Sequence, residues 1–248
     1  NSRVIIMVSL LIFCINIFSI QITKSGIEFL NIWLENNIFQ LCFVLLCFLF
    51  VVNGANLIDG FNGLLSIHFL IITSILLFIN LSNLNDNISI ILFMQIIIIL
   101  SFLLFNFPKA KIFLGDSGSY LIGFLIVLNT IKTYELNPQI SPFFFAGVLF
   151  YLFYEVFFSF IRKAALKKSP LHPDKLHLHM LLYKWISHSK KKERANYLTS
   201  IIINSSYLFL QIPLFYFQND GLISRYWFFS LLILYTIIYF RLYSFSKK

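Results

Sequence analysis

Eight apolar stretches recur along this chain, roughly 4–20, 38–57, 64–81, 88–106, 118–132, 142–161, 198–217 and 222–243, and most are close to the length of a bilayer crossing. A crossing of about 20 mainly apolar residues satisfies its backbone hydrogen bonds as a helix. The chain is therefore expected to be an all-α, polytopic membrane helix bundle with about eight transmembrane helices. Composition agrees: 59% of the 248 residues are hydrophobic and only 12% charged, with a mean hydropathy of +0.84, well outside the usual make-up of soluble domains. We read residues 1–248 as one integral membrane domain, with a basic loop at 162–197 inside it and further helices expected upstream of Asn1.

The net charge of +9 is unevenly placed. Arg3 precedes the first span, Lys109 and Lys111 separate the fourth from the fifth, and about half of all Lys and Arg lie between the sixth and seventh. Loops such as "NLSNLNDN" and "FQNDG" are neutral or acidic. Under the positive-inside rule, the basic set faces the cytoplasm, in the inner (plasma) membrane. No basic helix with interleaved aromatics accompanies the charge, so no nucleic-acid partner is expected. Cys14, Cys42 and Cys47 lie in apolar runs without CxxC spacing and read as small buried hydrophobes. Segment 21–37 is expected to hold a short interfacial helix.

Three polar clusters fall at the cytoplasmic ends of spans, where their cost must be offset by pairing or use. In "NGANLIDGFNGL", Asn53, Asn56 and Asp59 follow helical spacing and Asn62 continues the series, which would put four polar side chains on one side of a helix end. The plainer alternative is a turn at Gly60 built from Asn and Asp. In "NFPKAKIFLGDSGS", Pro108 ends a span, Gly115 and Gly118 allow close backbone approach, and Ser117 and Ser119 are candidate N-cap oxygens. Asp116 at that helix start either caps or holds Mg²⁺ (or Mn²⁺) against a phosphate, because a carboxylate beside an anion site needs a cation between them.

The third cluster, "RKAALKKSPLHPDKLHLHMLLYK", gathers Arg162, Lys163, Lys167 and Lys168 with His172, Asp174, Lys175, His177 and His179. Its cations favour a phosphate clamp over zinc, with an ordinary basic loop as the remaining reading. Glu155, two turns before Arg162, is an isolated carboxylate within a span and is expected to pair or to work. His68, alone on an apolar segment, is expected to be a hydrogen-bonded core residue.

In this order the clusters resemble the polyprenyl-phosphate N-acetylhexosamine-1-phosphate transferases, glycosyltransferase family 4, through "NLIDGFNGL", "NFPKAKIFLGDSGS" and "RKAALKKSPLHPDKLHLHMLL". The resemblance implies an Mg²⁺-dependent transfer of a hexosamine 1-phosphate from a UDP-amino sugar to polyprenyl (undecaprenyl) phosphate, releasing UMP and initiating a surface glycan such as O-antigen. It implies Asp116 and Asp59 as metal and catalytic residues, with His177 and His179 also catalytic. It assigns Asn53, Asn56, Gly60, Asn62, Asn106 and Phe113 to the nucleotide, Phe113 by stacking on the base. It assigns Arg162, Lys163, Asp174, His177 and His179 to the sugar and diphosphate. A homodimer is a further expectation.

The pattern departs at Asn62 and Glu155, where the family has aspartates, and at Met180, where many members have histidine. The family's paired aspartates would lie upstream of residue 1. Two other classes remain as alternatives: a non-catalytic relative that binds the nucleotide sugar or lipid carrier, and a membrane transporter.

Overall fold

The computed structural model describes residues 2–167, 169 and 174–247, with side chains from Ile6 onward. Arg3, Lys168 and His172, named above, fall outside the described side chains. The described residues form ten helices and no strand: α1 (Ser2–Ile17), α2 (Glu28–Leu34), α3 (Asn37–Ile58), α4 (Leu64–Ser82), α5 (Asp86–Asn106), α6 (Gly115–Leu136), α7 (Pro142–Ala165), α8 (Leu178–Ser187), α9 (Lys192–Tyr216) and α10 (Gly221–Ser246). The chain is a polytopic membrane helix bundle.

All eight apolar stretches are helical, but six, α3, α4, α5, α7, α9 and α10, are both long and apolar enough to cross a membrane. The other two differ for different reasons. α1 has 16 residues, short of the roughly 20 that a crossing needs. α6 has 22 residues but carries Asp116, Ser117, Ser119, Asn129, Thr130, Lys132 and Glu135, which dilute its hydropathy. The interfacial helix expected within 21–37 is α2, whose Phe29, Ile32 and Trp33 are exposed. α8 was not anticipated inside the basic loop; Leu178, Leu181 and Ile186 on its buried side hold it against the bundle.

Local chemistry sets where the helices begin. Asn36 caps α3 by accepting from the backbone N–H of Ile38 and Phe39 at 3.0 and 3.1 Å. Ser141 caps α7 just before Pro142, whose missing N–H costs nothing at a first helical position. Asp220 does the same for α10 through Leu222 and Ile223, both at 2.9 Å.

α3 is the axis of the bundle and packs against α1, α6 and α7. Small residues permit the close approach: a Cβ on Gly54 would collide with the backbone carbonyl of Leu152 on α7, and one on Gly123 of α6 would come 2.7 Å from Val52 Cα on α3. α4 packs on α5, α6 and α9; α10 packs on α7 and α8.

Up-and-down order then brings the C-terminal ends of α3, α5 and α7 and the N-terminal ends of α4, α6, α8 and α9 to one face of the bundle. The opposite face is not apolar. There Asn80, fully buried, donates to Thr133 Oγ1 at 2.9 Å and accepts from Asn85 and Asn137, joining the α4–α5 and α6–α7 connections. Deeper polar residues pair with each other: Asn129 with Gln95 at 2.6 Å, and His68 Nδ1 with Asn204 Oδ1 at 3.1 Å. His68 is thus the hydrogen-bonded core residue expected, flanked by Tyr151 and Tyr207.

Candidate active site at one end of the bundle

The first two clusters are joined by direct hydrogen bonds. Asn56, on the last turn of α3, donates from Nδ2 to Ser119 Oγ at 2.9 Å and to Asp116 Oδ1 at 3.3 Å. Ser119 in turn donates to the Asp116 carbonyl at 3.0 Å. Asn106, buried at the end of α5, accepts the Gly63 N–H at 2.8 Å and donates to the Ile112 carbonyl at 2.8 Å. Asn62 Nδ2 donates to the Pro108 carbonyl at 2.9 Å. Gly63 adopts φ +73° as N-cap of α4, a conformation that favours glycine, and a Cβ there would press on the Phe107 ring.

Two local expectations are corrected. Asn62 does not continue the helical series of Asn53, Asn56 and Asp59, because α3 stops at Ile58, Asp59 is its C-cap and Gly60 to Gly63 turn the chain into α4. Ser117 and Ser119 do not cap α6: the helix begins at Gly115, its N-cap is Leu114, and no side chain caps it. Ser119 is instead a buried link between α3 and α6, and Asp116 lies in the first turn with its carboxylate exposed.

Asp59, at the C-terminal end of α3, is half-buried. Its carboxyl is pushed up to about 7, first by burial and second by the negative charge of Asp116. Two carboxylates therefore face a common region in which their repulsion is unrelieved. Asn53 turns back on its own helix, donating to the Leu49 carbonyl at 2.6 Å. Among the described residues nothing lies within 4 Å of a would-be Cβ on Gly60, and Phe113 is 74% exposed.

The third cluster is organised around Glu155, which is 1% exposed on α7. His177 Nδ1 lies 3.1 Å from Glu155 Oε2, the Leu178 N–H donates to Oε1 at 3.2 Å, and His179 Nδ1 lies 3.6 Å from the same oxygen. His177 Nε2 is 3.5 Å from Asp174 Oδ1. Arg162 holds Asp174 with both Nη atoms, at 2.9 and 3.2 Å, and also donates to Ser159 at 3.2 Å. Burial opposes the Asp174 carboxylate, but the Arg162 guanidinium and the Leu176 N–H outweigh it and hold the group below the usual carboxylate range. Lys163 is buried beside this cluster on α7.

Phe61 connects the third cluster to the first: its ring meets the edge of His179 with centroids 5.6 Å apart and packs on Tyr183 of α8 at 5.2 Å. All three clusters thus converge. Several contributors escaped the sequence reading. Asn196 on α9 accepts the Asn62 N–H at 2.9 Å, Glu193 pairs with Lys109 at 3.0 Å, and Tyr197 meets Phe107 edge-on. They were hidden in "KKKERANYL", where the charge run drew attention away from the single amide. His177 and His179 present Nδ1 to Glu155, and among the described residues no group of three or more His, Cys, Asp or Glu is placed to hold a metal ion; His172, the third histidine of the zinc alternative, lies outside the described residues.

A membrane helix bundle that gathers carboxylates, amides, a bidentate arginine and two histidines at one end defines a class: an integral membrane protein with a polar site at the bilayer surface. The chain belongs to glycosyl transferase family 4, whose model matches residues 2–134. It is 30% identical over 137 residues to the undecaprenyl-phosphate alpha-N-acetylglucosaminyl 1-phosphate transferase of Thermotoga maritima, covering 55% of this chain and 41% of that protein. It is 32% identical over 99 residues to the decaprenyl-phosphate N-acetylglucosaminephosphotransferase of Mycobacterium leprae, covering 35% and 25%. An 80-residue stretch is 39% identical to the Haemophilus influenzae undecaprenyl-phosphate alpha-N-acetylglucosaminyl 1-phosphate transferase, covering 30% and 21%. The chain spans less than half the length of these relatives.

Proposed function

We propose that the protein transfers N-acetylglucosamine 1-phosphate, or a related hexosamine 1-phosphate, from a UDP-sugar to a polyprenyl phosphate at the cytoplasmic face of the plasma membrane, releasing UMP as the first step of surface glycan synthesis. The observation that carries this is the convergence of the three clusters, through Asn56 with Asp116 and Phe61 with His179. Both reactants are anions, so the barrier that a protein can lower most is charge repulsion.

The donor set fits Mg²⁺ or Mn²⁺. Such hard cations take oxygen ligands, commonly one or two carboxylates with the remaining positions left to water and phosphate. Asp59 and Asp116 supply those carboxylates, and the upward push on Asp59 marks a negative charge that a cation would relieve. When bound, the ion would neutralise phosphate oxygens and polarise the reacting phosphorus. Asn56 orients Asp116 from the other side. Phe113 is exposed and available to stack on the base, and Gly60 leaves open space at the end of α3. Arg162, Asp174, His177 and His179 form a pre-positioned cluster for the diphosphate and sugar. The lipid tail has an apolar groove beside that cluster, lined by Leu178, Leu182, Ile203, Leu231 and Leu242.

The test is UMP release from UDP-N-acetylglucosamine by the full-length protein in membranes, with polyprenyl phosphate and Mg²⁺. Release that depends on both additions is expected. Binding of donor or lipid carrier without UMP would favour the non-catalytic alternative.

A further inference from the structure

Glu155 is a charge buried inside the bundle, a placement that persists only with strong donors around it. From one short stretch His177 and Leu178 bond to it, with His179 Nδ1 just beyond at 3.6 Å, and the hydroxyls of Tyr151 on α7 and Tyr235 on α10 also face it. α8 has no side-chain cap of its own, His177 being its N-cap residue. The carboxylate from α7 fills that place, accepting a first-turn N–H at the positive end of the helix. The two imidazoles lie parallel, 7° apart in plane with centroids 5.6 Å apart. Because both Nδ1 atoms face Glu155, both Nε2 atoms lie on the far edges of the rings. That of His177 is held towards Asp174 at 3.5 Å; both ring nitrogens of His179 are buried without a hydrogen-bond partner among the described residues.

We propose that Glu155 is the positioning residue of the site: by holding His177 and the start of α8 it fixes the ring edges that His177 and His179 present to the donor's diphosphate and sugar. This rests on the transfer reading above. A carboxylate that orients an imidazole fixes its tautomer and direction without touching substrate.

Four variants of the full-length protein decide the matter: Glu155→Gln, Glu155→Asp, His177→Ala and the double Glu155→Gln/His177→Ala. Glu155→Gln should raise the donor KM about ten- to a hundredfold, the range typical when the carboxylate behind a metal-bound histidine is removed, and should raise it more than the lipid-acceptor KM. Glu155→Asp, which keeps the charge, should fall between wild type and Glu155→Gln. The double variant should lose less than the product of the two single losses, because the two changes share the Glu155–His177 interaction. Losses that multiply, or a fall in kcat that merely follows the folded fraction, would overturn the proposal. ¹⁵N spectra of the imidazoles provide a readout independent of turnover. The His177 signals should move in Glu155→Gln while those of His68 and His188 do not; unmoved His177 signals would refute the hold on that ring. A wild-type protein that releases no UMP would remove the transfer reading, while the spectra would still decide the role of Glu155.

Discussion

At the scale of single residues, Asp59 makes the sharpest prediction because its environment opposes its charge. Burial first, and then the charge of Asp116, push the folded carboxyl up to about 7, above the roughly 3.9 expected of an unfolded aspartate. A raised acid favours the protonated form in the folded state, so its contribution to stability is full below about pH 4 and is lost as the pH climbs through about 7. In detergent without divalent ions, the melting temperature of the wild type relative to Asp59→Asn should therefore decline across that window. A pH-independent difference would contradict the burial argument. Phe113 makes a second. It is 74% exposed, so Phe113→Ala should change stability by less than about 0.5 kcal/mol. If the ring stacks on the base, donor binding should nonetheless weaken by about 1–3 kcal/mol; an unchanged donor KM would reassign the residue to the lipid surface. Residue identities at the site were legible because Asn, Asp and His at membrane depth are costly. Their partners were not, since Asn62 bonding to Pro108 and Asn196 depends on how separate loops meet.

Among the elements, α3 and α7 carry the site on a close contact that only a small residue allows. Gly54→Ala should push against the Leu152 carbonyl and destabilise the bundle by about 1–3 kcal/mol, read as a lower melting temperature in detergent. Gly60→Ala is the control, since a Cβ there meets nothing among the described residues; its stability should stay within about 0.5 kcal/mol of wild type. Equal losses at the two positions would mean that the contact is not what the helices need. Gly54 and Gly60 both occur in one twelve-residue motif, and spacing alone does not separate a packing glycine from an open one. The start of α6 shows the same limit from the other side. Ser117 and Ser119 look like caps in sequence, yet Gly115 at φ +66° opens the helix earlier and leaves Ser119 to bind Asn56. α8 was missed because its apolar positions lie in a loop dominated by Lys and His, where charge masks the helical period.

For the whole molecule, the apolar stretches made the bundle legible, and basic-loop placement picked out one end of it. What the stretches did not reveal was the second polar network at the opposite end, around Asn80, Thr133 and Asn137. That network and the pairs Asn129–Gln95 and His68–Asn204 bind helices to each other, as interhelical polar contacts do in lipid. They pair with one another, whereas the site end leaves Asp116 and Phe113 exposed and keeps Asp59 half-buried beside a like charge. This asymmetry favours the proposed one-sided site over a transporter, whose functional polar residues would line a path through the bundle. The central claim is that Asp116 and Asp59 seat a divalent ion that bridges to the donor's phosphates. Mn²⁺ binding followed by electron paramagnetic resonance tests it directly in the full-length protein. With a UDP-amino sugar present, the account predicts about one bound Mn²⁺ per chain with phosphorus coupling, lost in Asp116→Asn. Bound Mn²⁺ that keeps its phosphorus coupling in Asp116→Asn would contradict it.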